Sequence, residues 1–334
     1  MHLSFDRRII INNHNMDLRN YHHVLAFALL ILSFGSCGKQ AEREGDSGGF
    51  PADRVVRVSV EVAPQTKGSY TTENLKEFDL FIHSENSRYS YTNTKFTKNV
   101  TSGDWEPARQ MLWEGKKTKF DFLAVAPPLP ASGHSISGTH VFSFAVEEVQ
   151  TEGATASDLL WAWKYDASCE DSDLFDGDGK MRIAFSHACS LIRVRLTLGT
   201  EFNHDGVPQS NPISELKIDG LLVEADIQHH VVGNDSYHAY ATGAAKTVQA
   251  YQSKWEKYDD KTKNCVAVFE CIVVPQNWTK FTVNFICGGK PYTYTANCGQ
   301  NQGLFESGKS YTLPLTVGKD EVIMSKDGIT ASPW

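Results

Sequence analysis

Apolar and polar residues alternate with a period of two over most of this chain. In VVRVSVEV, Val56, Val58, Val60 and Val62 share one side while Arg57, Ser59 and Glu61 share the other. That is the pattern of a half-buried strand. FDLFIH repeats it with Phe78, Leu80 and Ile82. KFDFLAVAPP predicts a further strand, stopped at Pro127 and Pro128 because proline cannot supply the ladder donor. HVFSFAVEEV predicts another after the turn-like ASGHSISGT. Nothing between residues 50 and 160 sustains a helical stripe. Trp105, Trp113, Trp161 and Trp163 read as packing residues, with one or two of them exposed.

Alternation stops at DASCEDSDLFDGDGK, residues 166–180, where acid and glycine take over. It resumes in MRIAFSH and in LIRVRLTL, whose Ile192, Val194, Leu196 and Leu198 oppose Arg193 and Arg195. ISELKIDGLL, CVAVFECIVVP, FTVNFICGG, PYTYTANCG and SYTLPLTV follow, with EVIM as a short last candidate. Strands divided by glycine, proline and asparagine turns predict an all-β chain, and sandwiches bury such alternating faces well. The pattern therefore predicts an N-terminal β-sandwich domain over 54–170, an acidic linker over 171–180 and a C-terminal β-sandwich domain over 181–334.

The N-terminal region departs from this pattern. Residues 24–34, VLAFALLILSF, are almost purely apolar. They are too short to span a bilayer core, which needs roughly 20 residues, and suit the apolar region of an export signal. Arg19, His22 and His23 precede the run, and Met16 offers an alternative start. Gly35 and Ser36 lead into Cys37, the arrangement of a bacterial lipoprotein signal, so residues 1–36 are expected to be removed and Cys37 to carry a lipid. The alternative is a conventional signal with a cysteine nearby; Phe34 departs from the commoner leucine. Residues 37–53 are polar and rich in small residues, and read as a flexible tether.

Composition narrows the chemistry. The formal net charge of -8 over 334 residues lacks the positive field that a phosphate backbone demands, which argues against nucleic acid as a partner. Seven cysteines leave six if Cys37 is lipidated, and none of the six shows CxxC spacing. Cys265 and Cys271 share one strand and are too far apart to bridge. Cys287 and Cys298 flank a hairpin-like segment, and both a bond across it and buried free thiols remain open. Asp171, Asp173, Asp176 and Asp178 are oxygen ligands of the kind calcium takes, but Phe175 and Arg182 stand where a helix-loop-helix calcium loop needs ligands, so a solvated stretch is the better reading. His229 and His230 are adjacent and point to opposite faces of a strand, while His187, at a strand end, reads as a packing residue. There is no phosphate loop, GxSxG elbow or HExxH. The sequence thus predicts no enzyme, no metal and no cofactor.

Several segments in order resemble the fimbrillin-like surface lipoproteins of Bacteroidales, which include subunits of type V pili. They are the signal ending at Cys37, RVVRVSVEV, DLLWA at 158–162, MRIAFSHACSLIRVRL at 181–196 and FESGKSYTLPLTVGKDEVIM near the end. The resemblance implies two tandem transthyretin-like Greek-key β-sandwich domains, and a lipid anchor that leads to the outer surface of the outer membrane. It implies other fimbrial subunits as partners, joined by a donor strand after an arginine-specific protease removes an N-terminal piece. Arg43, Arg54 and Arg57 are then the candidate cleavage residues, and VVRVSVEV the candidate displaced strand. Leu313, Leu315 and Val317 belong either to a donor or to the final strand of their own domain. An alternative role is a surface adhesin or glycan-binding module contacting a host or bacterial ligand, with the tyrosines of SRYSYTNTKF and DSYHAY as its exposed aromatics. A surface hydrolase is a third.

Overall fold

A computed structural model describes residues 50–63, 69–128, 139–203, 206–230, 237–257, 264–298 and 302–334. All of these fall in one compact unit, Ser47–Trp334. The strands of the first half are β1 (Val58–Val62), β2 (Glu77–Ser84), β3 (Tyr91–Lys98), β4 (Trp105–Pro107), β5 (Phe120–Ala126), β6 (Thr139–Ala145), β7 (Leu160–Ala167) and β8 (Met181–His187). Then come β9 (Ser190–Leu198), β10 (Ile213–Leu221), β11 (Glu224–His230), β12 (Tyr237–Thr242), β13 (Lys246–Gln249), β14 (Tyr251–Glu256) and β15 (Val266–Val273). The last group is β16 (Gln276–Trp278), β17 (Lys280–Cys287), β18 (Lys290–Asn297), β19 (Gly303–Phe305), β20 (Lys309–Val317), β21 (Val322–Met324) and β22 (Thr330–Pro333). Helical structure among the described residues is limited to two 3₁₀ turns, at Ser87–Tyr89 and Thr200–Asn203. The chain is all-β.

The first sheet runs β1-β8-β7-β5-β2-β3-β4 and is antiparallel except for the β1–β8 pair. Its middle strands are buried on both faces. Phe78, Leu80, Ile82, Phe122, Ala124, Leu160 and Ala162 join one core, while Phe81, Leu123, Val125 and Trp161 point the opposite way into a second. Successive side chains of a strand point to opposite faces, so a middle strand covered on both sides reads as a continuous apolar run. FDFLAVA is such a run.

The second core lies between two further sheets, β14-β15-β9-β20-β21 and β13-β10-β17-β18. Val194, Leu196 and Leu198 of β9 point into it, as do Leu313, Leu315 and Val317 of β20 and Val283 and Phe285 of β17. β20 is parallel to β9 from Ser310↔Leu191 to Val317↔Leu198. Its outer edge is covered in two halves, by β21 at Leu315–Val317 and by β22 at Lys309–Thr312. A small pair, β16-β19, closes one flank.

Two placements differ from the sequence expectation. Strand β8, expected to open the C-terminal domain at 181, is hydrogen-bonded between β1 and β7 in the first sheet. The acidic stretch before it holds Leu174 and Phe175, and both are buried in the first core. That apolar pair ties the run to the sheet: Phe175 bridges Met181, and Arg182 N–H donates to the Leu174 carbonyl at 2.7 Å. Strand β6, assigned by position to the N-terminal domain, pairs instead with β11 in a three-stranded sheet β12-β11-β6.

Candidate functional site

The alternating valines of β1 explain why it folds where it does. Val56, Val58, Val60 and Val62 are 1–9% exposed and pack in the first core with Met111, Trp113, Ile183 and Phe185. Among the described residues β1 is an edge strand, and its ladder is the parallel one to β8, from Val58↔Met181 to Val62↔Phe185. In that ladder the Arg57 carbonyl accepts the Met181 N–H at 2.9 Å and Ala63 N–H donates to the Phe185 carbonyl at 2.9 Å. Parallel pairing is slightly weaker per residue than antiparallel. Removing β1 would therefore leave an apolar slot floored by the first core and lined on one side by the unpaired backbone of β8.

The approach to β1 is fastened to the segment at 111–114. Val56 N–H donates to the Met111 carbonyl (2.9 Å) and Trp113 N–H to the Arg54 carbonyl (2.8 Å). Arg54 has a φ of 59°. Its guanidinium donates to the carbonyls of Trp113 (2.8 Å) and Glu114 (2.6 Å), and lies 5.3 Å above the centre of the Tyr89 ring. Arg57, by contrast, is exposed and paired with Asp53, its Nη1 donating to Oδ1 at 3.0 Å. That hydrogen bond, with a second from Val55 N–H, lowers the Asp53 pKa to about 2. The carbonyls of both Arg54 and Arg57 are thus held by hydrogen bonds, so cutting after either requires the start of β1 to lift. Cys37 and Arg43 lie outside the described residues.

The other candidates resolve as follows. Asp171 and Asp173 both pair with Lys164 of β7, and Asp176 accepts the N–H groups of Asp178 and Lys180. The acidic run is a stapled turn, and no cluster of metal-ligating groups occurs among the described residues. Tyr89 and Tyr91 are half-buried and covered by Arg54 and Arg109, while the Tyr91 hydroxyl accepts the Leu112 N–H at 2.8 Å. Tyr237 and Tyr240 fall on β12, and their side chains lie outside the described residues. Trp113 and Trp161 are core residues, and Trp163 is exposed.

Cys287 and Cys298 sit at opposite ends of the β17–β18 hairpin. Cys287 pairs with Lys290 next to the turn, whereas Cys298 N–H bonds the Thr279 carbonyl beyond the far end. A strand advances ~3.4 Å per residue, so their separation rules out a bond across the hairpin. Cys169, Cys189, Cys271, Cys287 and Cys298 are free thiols, and all but Cys298 are buried, as is Cys265.

His187 is a packing residue, but one with a partner that no spacing announced. Its Nδ1 lies 2.9 and 3.1 Å from the two oxygens of Asp158, and both side chains are 0% exposed. Asp158 Oδ2 also accepts the Tyr70 N–H at 2.8 Å. The pair has the look of an acid–base dyad, yet no substrate can reach it in this state.

The described residues thus form an all-β body of packed sheets, with β1 as an edge strand held along β8. The chain belongs to the fimbrillin-like family, whose model matches residues 63–334. That family is one of fimbrial and adhesin proteins of Bacteroidales. The match starts where β1 ends. Among solved structures the fold is similar to that of a protein named for cell adhesion from Bacteroides uniformis ATCC 8492, with 18% identity, a TM-score of 0.56, and 85% of this chain and 99% of that one covered. A second such protein, from Bacteroides ovatus ATCC 8483, gives 14% identity and a TM-score of 0.55 over 85% of this chain and 99% of the other. No curated protein matches the chain.

Proposed function

We propose that this chain is a structural or accessory subunit of a cell-surface fimbria, exported as a lipoprotein whose Cys37 lipid holds it in the outer membrane. In this reading β1 is an exchangeable strand. An arginine-specific protease cuts at Arg43, Arg54 or Arg57, β1 leaves, and an extended segment of a neighbouring subunit takes its place along β8. The observation that carries the reading is the valine stripe of an edge strand buried in the first core and held by a single parallel ladder. Strand addition of this kind needs an edge with free backbone groups and pockets for alternate side chains. The intruding segment needs an apolar residue at every second position to match.

Leu313, Leu315 and Val317 do not supply that segment, because β20 is an inner strand of the second core. The two cores are further proposed to be tandem transthyretin-like Greek-key sandwiches. In this reading β8 belongs to the first sandwich and the boundary falls just after His187, which its pairing with β1 and β7 supports. The anchor is tested by Cys37→Ala, which is expected to shift the protein from the outer-membrane fraction to the soluble one. Full membrane retention of this variant would refute the anchor and leave the strand reading to its own test.

A further inference from the structure

The link between the first and second sheets is a two-residue crossing, Ala188–Cys189, between β8 and β9. It is gripped from three sides. Ala188 N–H donates to the Leu159 carbonyl at 2.7 Å, and the Asp158 carboxylate holds His187 from below. The turn at 306–308 closes on it from a second side. There Ser307 Oγ donates to the His187 carbonyl (3.3 Å), Gly308 N–H to the Cys189 carbonyl (2.9 Å), and Ser190 Oγ to the Glu306 carbonyl (2.7 Å). Gly308, with a φ of 67°, passes so near that a Cβ there would stand 3.3 Å from the His187 oxygen.

The third side is Trp334. Its indole is 7% exposed and stacks on the His187 ring with centroids 4.0 Å apart and planes 12° from parallel. Its backbone N–H donates to the Gly308 carbonyl at 2.9 Å, so the indole is held by packing and stacking. The segment leading to it has little hold of its own. All four residues of β22 are exposed, and among the described residues they pair only with Lys309–Thr312 of β20. Upstream, Ser325 N–H donates to the Pro314 carbonyl at 2.9 Å and Ile329 is partly buried against the second core. A strand this short, with no buried side chain, is marginal by itself.

We propose that residues 325–334 form a strap latched by Trp334, and that its release opens the edge of β20 and loosens the β8–β9 crossing in one cooperative event. When the indole leaves and the strap lifts with it, the His187 ring and the Asp158 carboxylate under it meet water, the Gly308 carbonyl loses the Trp334 backbone N–H, and the grip of the 306–308 turn weakens. The strap is thus a device that couples an open sheet edge to freedom of the joint between the two cores. It is independent of any role for β1.

Hydrogen exchange on the whole chain tests this, since segments that open together share one opening free energy and one denaturant slope. In the unaltered protein, peptides covering 309–313, 329–334 and 186–190 are expected to share both. Trp334→Ala should speed exchange in all three by about 100-fold or more, given the usual cost of truncating a buried tryptophan. Exchange in 280–297 should stay as it was, and Trp334→Phe, which keeps a ring over His187, should have a much smaller effect. Acceleration confined to 329–334, or spread equally to 280–297, overturns the proposal. If Trp334→Ala does not fold, the unaltered protein decides: separate slopes for 329–334 and 186–190 overturn it, and a common slope supports it.

Discussion

Consider a chain that begins at residue 64 and so lacks β1. Full burial of a valine side chain stabilises a fold by ~1.5–3 kcal/mol. The four valines at 56, 58, 60 and 62 together then contribute roughly 6–12 kcal/mol. A compact unfolded chain trims this by roughly 10–40%, to about 4–11 kcal/mol. Domains of this size are stable by only about 5–15 kcal/mol. The shortened chain should therefore be marginal in its first core, with Phe78, Phe185 and Ile183 reachable by solvent and by the dye ANS. A synthetic peptide of residues 54–63, supplied in trans, should restore the melting midpoint and quench dye binding. A second peptide with the valines moved one place along should not, because a one-residue slip turns every side chain to the other face. Thermal melts and dye titrations with and without each peptide measure this. A shortened chain that melts like the intact one and ignores both peptides would refute the idea that β1 fills a separable slot.

Two further outcomes are expected. Asp53 is held near 2, below its ordinary 3.8, chiefly by the Arg57 hydrogen bond. A depressed carboxylate stabilises the folded state above its ordinary value and loses that contribution as the pH falls through about 2. Carboxyl NMR should place the Asp53 midpoint near 2 and move it toward 3.8 in Arg57→Ala; an unmoved midpoint contradicts the pairing. Burial pushes the Cys169 and Cys271 thiols up to about 12 and Cys287 to about 11, and raises Cys189 as well. Only the thiolate is the nucleophile, so iodoacetamide at mildly alkaline pH should modify half-buried Cys298 and spare these four until the chain unfolds. Mass mapping reads this directly, and early labelling of Cys189 or Cys271 would show that the core opens.

Period-two alternation located β1, β8, β9, β17 and β20 because each has one face on a core and one on solvent or a polar layer, whereas β2 and β15 are buried along nearly their whole length and stood out as apolar runs. The EVIM candidate appears as β21. Alternation states which way a residue points, not which strand lies beside it. This is why the β6–β11 pair and the parallel β1–β8 pair were not legible. β7 was blurred for another reason: Leu160, Trp161 and Ala162 are all buried, divided between two cores. The acidic run at 171–180 looked solvated because its carboxylates outnumber its apolar residues, yet Leu174 and Phe175 decide where it sits. Asp158 and His187 lie 29 positions apart and meet only through the folding of β7 against β8. The strap was hidden too, since TASP carries no apolar stripe and its buried anchor, Trp334, stands outside any periodic pattern.

The central claim, an exported lipoprotein subunit whose N-terminal strand is released for assembly, is tested most directly by the N-terminus and mass of the protein in membrane and fibre fractions from native cells. The account predicts a chain starting at acylated Cys37 in the membrane fraction, and one starting just after Arg43, Arg54 or Arg57 in the fibre fraction. A chain without lipid in the membrane fraction, or one in fibres that still carries everything from Cys37 onward, would contradict it.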